Sequence, residues 1–469
     1  MSRHRNIEWS FDRINISAIF TVEKSVSRHR NIEWTMEIKR DLYLQKLLNS
    51  RNNNMIKVIT GMRRSGKSYL LFNLFADALI QEGVSTDHII KINLEDRRNN
   101  ELRNPDNLLH YIDAQLVDDK MYYILLDEIQ MVREFEDVLN SYLHVKNADV
   151  FVTGSNAKFL SKDVITEFRG RGQSIKIYPL NYEEYMSAQP QSNVYDMKLL
   201  YDYMQYGGLP KIVTMNDENE KKEYLKSLFV QTYLKDIKER YSILLDADLE
   251  ELIDVVASSI GSLTNPHKIQ NTFKSVKQSN ISQDTIKKYL DYMQDAFLID
   301  KAVRYDIKGR KYIDTPTKYY FEDLGLRNVR LNFRQTEQTH LMENLIYNEL
   351  RIKGYSVDVG QLTVYGKNEE GKSERKNLEV DFVCNKGYNR VYIQSAFALP
   401  TIEKQNQEFG SLRHIDDSFQ KVVIVGGMQP TYRNDDGILI LNIFDFLLNK
   451  ENGNGYGNGY GGLIHRVNL

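Results

Sequence analysis

The sequence predicts an α/β protein whose first half is built on a parallel sheet covered by helices on both faces. Three observations predict it. Short apolar runs alternate with helical patterns from Met55 to Leu180. The octet GMRRSGKS, 61–68, lies where the first apolar run passes into the first helical pattern. A later apolar run, YYILLDE at 122–128, ends on two adjacent carboxylates. Strands covered on both faces read as continuous apolar runs rather than as an every-second-residue alternation.

Taken in order, residues 1–35 contain SRHRNIEW twice, at 2–9 and 27–34. Two copies give nothing to stack, so this stretch is expected to be a disordered leader, with Met36 as the natural start. A basic arm for an anionic partner is the other reading. MEIKRDLYLQKLLNSRN then reads as a helix, and MIKVIT (55–60) as the first strand. KSYLLFNLFADALIQEG (67–83) places Leu70, Leu71, Leu74, Phe75 and Ala78 on one helical face and stops at Gly83. HIIKINLED (88–96), MYYILLDE (121–128), DVFVTGS (149–155) and QSIKIYPL (173–180) supply four more strands. NPDNLLHYIDAQLVD is a helix opened by Asn-Pro. These elements make a core over 36–190.

Residues 191–245 are mostly helical, with YGGLP (206–210) interrupting them. Over 246–330 three helices precede a hairpin around DIKGRK (306–311), and 331–450 changes to a helix, strands and mixed α/β. The tail 451–469 carries NGNGYGNGYGG, a low-complexity flexible segment.

The 469 residues are 41% hydrophobic and 27% charged, enough chain for several domains. Net charge is −2, so any nucleic-acid contact needs a local basic patch. A lone cysteine, Cys384, allows no internal disulfide and fits a reducing compartment. With no apolar run of about 18 residues, no membrane span is expected and the location reads as cytoplasmic. The nine histidines do not pair at metal-ligand spacing.

Residues 61–68 satisfy G-x-x-x-x-G-K-[ST] between strand and helix, the context a phosphate loop requires. Backbone N–H groups around Gly61, Ser65 and Gly66 would close on phosphates, helped by the helix N-terminus. Lys67 would reach the β- and γ-phosphates and Ser68 would hold Mg²⁺. Asp127 can bind the same Mg²⁺. Glu128 can orient and deprotonate a water attacking the γ-phosphate, which favours hydrolysis over transfer to a small molecule. Ser155 or Asn156, ending the strand VFVTGSN, could touch the γ-phosphate or that water. Arg169 and Arg171, in FRGRG, could stabilise transition-state charge, across a subunit interface if the chain is a homo-oligomer.

GMRRSGKS, LLDEIQ, VTGSN, FRGRG and YPLNYEEY, in this order and spacing, resemble the AAA+-type P-loop ATPases of bacteria and archaea. They resemble in particular the branch with a C-terminal domain of unknown function and a restriction-endonuclease-like core. YGGLP and YLKDIKERY (233–241) match that branch, and the resemblance spans about residues 36–450. It implies an ATP-binding core, a helical lid, a winged-helix segment and a nuclease-like α/β end. In the winged helix, SQDTIKKYLDYMQDAFLI exposes Lys287 and Lys288, and the wing tip clusters Lys308, Arg310 and Lys311. Basic groups there suit DNA phosphates, though such a segment also serves as a protein contact or spacer. The nuclease-like end offers Glu343, Asp381 and Gln394, but Ala396 stands where the pattern needs a lysine. This domain is read as nuclease-derived and inactive, still able to bind nucleic acid or a protein partner. The expected function is Mg²⁺-dependent ATP hydrolysis driving conformational change. The alternatives are a nucleotide-gated DNA-binding switch and an ATP-assisted nuclease.

Overall fold

A computed structural model describes residues 38–154, 168, 170–189, 195–243, 246–277, 280–334, 337–367 and 373–448. The leader 1–35 and the tail 451–469 lie outside the described residues. The described elements from Lys39 onward belong to one unit, Lys39–Leu469.

The five apolar runs form parallel strands: β1 Ile56–Gly61, β2 Ile89–Asn93, β3 Tyr122–Asp127, β4 Ala148–Gly154 and β5 Gly172–Ile177. Their order is β2-β3-β4-β1-β5, so β1 is flanked by β4 and β5. Every residue of β1 and β3 is buried. Alternate side chains feed two cores. Ile124 and Leu126 join Leu108, Ile112, Val138 and Leu139 from the helices Pro105–Asp113 and Phe135–Tyr142. Tyr123 and Leu125 join Leu47, Leu70, Leu74 and Phe75 from the helix Asp41–Asn49 and the helical run 67–81. Each such side chain contributes about 1.5–3 kcal/mol by leaving water. This burial fixes the C-terminal strand ends, where the phosphate loop and the carboxylates sit.

A helical layer follows, with Met197–Tyr206, Pro210–Val213 and a continuous run over 218–241. Helices Asp246–Ser258, Pro266–Thr272 and Gln283–Asp295 lead into the strands β6 Ile299–Asp306 and β7 Lys311–Phe321. The remaining strands are β8 Ser356–Lys367, β9 Ser373–Lys386, β10 Asn389–Ala396, β11 Gln420–Val425, β12 Tyr432–Arg433 and β13 Leu439–Asn442. All eight form one mixed sheet, ordered β12-β13-β11-β10-β9-β8-β6-β7. The hairpin expected as the end of a separate 246–330 segment is thus the edge of the C-terminal sheet. Its β6 pairs parallel to β8 through Arg304–Val359, Tyr305–Gly360 and Asp306–Gln361. The domain boundary read at 330 runs through a continuous sheet rather than between independent cores.

The segment FEDLGLRN, 321–328, ties these layers together. The Glu322 carboxylate accepts from Lys176 of β5 at 2.6 Å, and Asp323 accepts from the Gly208 N–H at 2.8 Å. Asn328 donates to the Met204 and Gln205 carbonyls, each at 2.9 Å. Arg327, fully buried, donates to the Ala257 carbonyl at 2.8 Å. Burial pushes the Glu322 carboxyl up to about 7 and that of Asp323 up to about 6. Gly325 is required by close approach, because a Cβ there would lie 2.1 Å from the Tyr206 carbonyl oxygen. Gly325→Ala is expected to cost about 1–3 kcal/mol, the usual penalty of overpacking. An unchanged denaturation midpoint in that variant would show that the contact is slack.

Candidate functional site

The octet forms a loop with four of its carbonyls tied down, two by residues outside it and two by its own lysine. Arg40, buried, donates to the Ser65 carbonyl at 3.0 Å and to the Tyr178 carbonyl at 2.7 Å, and pairs with Glu184 at 3.0 Å. The Tyr233 hydroxyl donates to the Arg63 carbonyl at 2.6 Å. Lys67, buried, donates to the Gly61 and Met62 carbonyls, each at 3.0 Å. Burial holds its ammonium below the ordinary lysine value. Three residues of the octet have positive φ, Gly61 at +141°, Arg64 at +64° and Gly66 at +92°. Loops of this kind make a concavity for an anion. Gly61 is needed at the strand end, since a Cβ would meet the Ile177 carbonyl oxygen at 2.0 Å.

The carboxylate strand ends beside this loop. Ser68 Oγ donates to Asp127 Oδ1 at 2.9 Å, and Thr153 Oγ1 donates to the same oxygen at 2.5 Å. Burial raises the Asp127 carboxyl above its ordinary range, opposed by those two hydrogen bonds. Glu128 sits in left-handed backbone at φ +55°, and its N–H donates to Thr153 Oγ1 at 2.9 Å. Its side chain is half-buried and accepts from Gln130 Nε2. Among the described residues no group of three or more His, Cys, Asp and Glu could hold a metal. A hydroxyl and one carboxylate oxygen, 2.9 Å apart beside a phosphate loop, still suit Mg²⁺. That ion typically keeps several waters and takes one or two carboxylates plus substrate phosphates.

Residues 53–186 match the family described as "AAA domain", and 197–337 match a domain of unknown function. An uncharacterized protein of Haemophilus influenzae is 36% identical over 420 residues, covering 88% of this chain and 98% of that protein. An uncharacterized protein of Methanocaldococcus jannaschii is 30% identical over 379 residues, covering 79% of this chain and 80% of its own. The chain belongs to the same family as these two proteins, and its residues 53–186 form an AAA domain. Among solved structures, the Aeropyrum pernix ORC1 protein in complex with DNA aligns at TM-score 0.30 and 11% identity, over 63% of this chain and 93% of that one.

Within this AAA-domain core the structure brings together Gly61, Ser65, Gly66, Lys67, Ser68, Asp127 and Glu128. Ser155, Asn156 and Arg169 lie outside the described residues. Arg171 sits at the opposite end of the sheet. Its carbonyl accepts from the Ile56 N–H, and Gly172 pairs with Ile56 whereas Ile177 pairs with Gly61. Five residues of strand, about 16 Å, separate it from the phosphate loop of its own chain. Sequence reasoning missed Thr153 and Gln130, which position Asp127 and Glu128. Thr153 was findable, because a hydroxyl inside an apolar buried strand needs a partner. Gln130 was not, since its contact depends on the backbone turn at Glu128.

The C-terminal acidic residues meet a cation the sequence did not suggest. Lys318 of β7 places Nζ 2.9 Å from Glu343, 2.7 Å from Glu379 and 3.7 Å from Asp381. Lys318 is 2% exposed, Glu343 7% and Asp381 8%, so these three are buried, whereas the Glu379 side chain is 39% exposed at the cluster's rim. Tyr320 donates to Glu343 at 2.7 Å, and the Ser395 N–H to Asp381 at 2.8 Å. Gln394 stands apart from the cluster's cation, accepting from the Asp381 N–H at 3.2 Å and donating to Glu408 at 3.3 Å. The basic candidates Lys287, Lys288, Lys308, Arg310 and Lys311 are all exposed. The first two lie on the helix Gln283–Asp295, the others at the β6–β7 turn. No described helix is long and apolar enough to cross a membrane.

Proposed function

We propose that the chain is a Mg²⁺-dependent ATPase whose nucleotide cycle moves a DNA-contacting segment. The observation that carries this reading is the bonding of Ser68, Thr153 and Asp127 beside the Lys67 loop, with Glu128 next in the chain. ATP binding draws the Lys67 ammonium from the loop carbonyls onto phosphate oxygens. Bound Mg²⁺ would be held by Ser68 and Asp127 and would neutralise charge on the β- and γ-phosphates. Glu128 takes the proton of the attacking water, and Gln130 holds its carboxylate until substrate arrives. Arg171, remote from its own loop, acts on the phosphates of a neighbouring subunit, so turnover requires a homo-oligomer.

Coupling follows the helical run 218–241. In its C-terminal third it grips the phosphate loop through Tyr233 and through Asp236, which pairs with Arg63 at 3.5 Å. About two turns beyond Tyr233, at the C-terminal end, Tyr241 stacks on Tyr292, with ring centroids 3.6 Å apart, and donates to Asp295 at 2.5 Å. Tyr292 and Asp295 belong to the helix that exposes Lys287 and Lys288, the DNA-reading helix of a winged-helix segment whose wing is the β6–β7 hairpin. A shift of the loop thus reaches the basic face through one rigid rod. The nuclease-like end is read as inactive, because Ala396 stands where the pattern needs a lysine and the ammonium of Lys318 lies between the carboxylates that a metal would need.

The test is steady-state phosphate release with and without duplex DNA at fixed, stated salt. Wild type should turn over ATP, faster with DNA. Tyr241→Ala should retain basal turnover and lose about five-fold or more of the DNA-dependent increase, the lower range of typical coupling energies. Stimulation undiminished in that variant would remove the helical run from the path. A wild type that binds ATP without turnover would favour the nucleotide-gated switch.

A further inference from the structure

Building on the DNA reading above, we propose that a groove between the β6–β7 turn and the β9–β10 connection of the eight-stranded sheet binds an unpaired stretch of nucleic acid. The groove measures about 740 Å³, within the range of ligand clefts. It is lined by Lys308 and Arg310 of the β6–β7 turn, Tyr388 and Arg390 of the β9–β10 connection, and His414 and Phe419 before β11. The wing tip is therefore one side of a concave site whose other sides come from the nuclease-like end.

Three features give the site its chemistry. The first is charge, since Lys308, Arg310 and Arg390 surround one cavity. The second is exposed ring surface. Tyr388 is fully exposed at a turn tip and Phe419 is 40% exposed, although both rings would gain by leaving water. The third is preorganisation. The Arg390 guanidinium lies 5.0 Å from the Tyr305 ring centroid and 5.6 Å from that of Phe419, and its Nε donates to Asn385 at 2.8 Å. A fixed planar cation beside the fully exposed Tyr388 ring and the partly exposed Phe419 ring suits alternating phosphates and bases.

Two carboxylates also line the groove. Asp417 accepts from the Tyr392 hydroxyl at 2.5 Å and from the Phe419 N–H at 3.2 Å, so its oxygens are engaged. Asp416, exposed at the rim, would repel a phosphate but can accept from the amino group of a base. This mixture favours a strand whose bases are splayed out over a duplex, whose bases are already stacked and turned inward.

The experiment measures full-length protein binding to a labelled oligodeoxythymidylate and to a labelled duplex, by fluorescence anisotropy at one salt concentration. Tyr388→Ala, at a fully exposed position, should weaken single-strand binding about 5- to 100-fold and leave duplex binding unchanged. Phe419→Ala should act in the same direction. Lys287→Glu with Lys288→Glu should weaken the duplex and spare the single strand. Single-strand affinity untouched by both aromatic changes overturns the proposal, as does equal competition by polyglutamate. Duplex binding without single-strand binding overturns it while the DNA reading stands. Binding of neither removes both.

Discussion

Glu128→Gln is expected to lower ATP turnover by about 10²–10⁴-fold, the usual contribution of a general base, while ATP binding persists. The change keeps the side chain's shape and its exit from left-handed backbone at φ +55°. It removes only the carboxylate that would take a proton. Nucleotide affinity should survive because Lys67, the loop N–H groups and the Ser68–Asp127 pair are untouched. Lys67→Ala provides the contrast. It removes the buried ammonium held by the Gly61 and Met62 carbonyls, so binding and turnover should fall together. Phosphate release and titration with a fluorescent ATP analogue separate the two effects. Turnover near wild type in Glu128→Gln would place the base elsewhere.

Lys318→Met should destabilise the fold by about 3–5 kcal/mol, the cost of leaving buried charges without their partner. The methionine fills much of the same volume, so the loss is electrostatic rather than a cavity. Burial and the neighbouring Glu343 push the Asp381 carboxyl above its ordinary range, and Lys318 opposes them. Lys318 itself is held above its ordinary value, because Glu343, Asp381 and Glu379 together outweigh the effect of burial. The sign of the pH dependence follows. A carboxyl raised in the fold favours the native state when protonated, so stability declines as pH rises from the ordinary value near 3.9 through the raised one. Without the ammonium, the Asp381 carboxyl rises further. The deficit of Lys318→Met should therefore be larger at pH 8 than at pH 5, read from urea midpoints. Equal midpoints for variant and wild type at pH 8 would mean the pair contributes nothing net. Lys318→Arg should recover much of the loss.

These two sites differ in how legible they were. The phosphate loop and the carboxylate pair are local: each is a strand ending in a turn, and its chemistry lies within eight residues of one another. The Lys318 cluster joins β7 to the helix Gln338–Ile352 and to β9, across up to 63 positions of chain. The sequence suggested an acidic site lacking its lysine at Ala396. It could not show that an ammonium arrives from another strand, since that depends on β6 pairing with β8.

By itself the sequence predicted the five core strands to within three residues at each end, the helices that follow β1 and β2, and Lys67, Ser68, Asp127 and Glu128 as candidates, but it did not mark the helix Phe135–Tyr142. Periodicity and turn chemistry are short-range, and the three central strands, buried on both faces, leave little freedom in how they are written. Only the tertiary structure decided that β4 lies between β1 and β3 and lends Thr153 to Asp127, and that Arg40 and Tyr233 hold the loop from outside. Only it placed the hairpin in the C-terminal sheet and sealed Glu343 and Asp381 around Lys318. Those contacts join residues far apart in sequence, where the free energy of burial and pairing depends on which surfaces meet, and no local pattern encodes that choice.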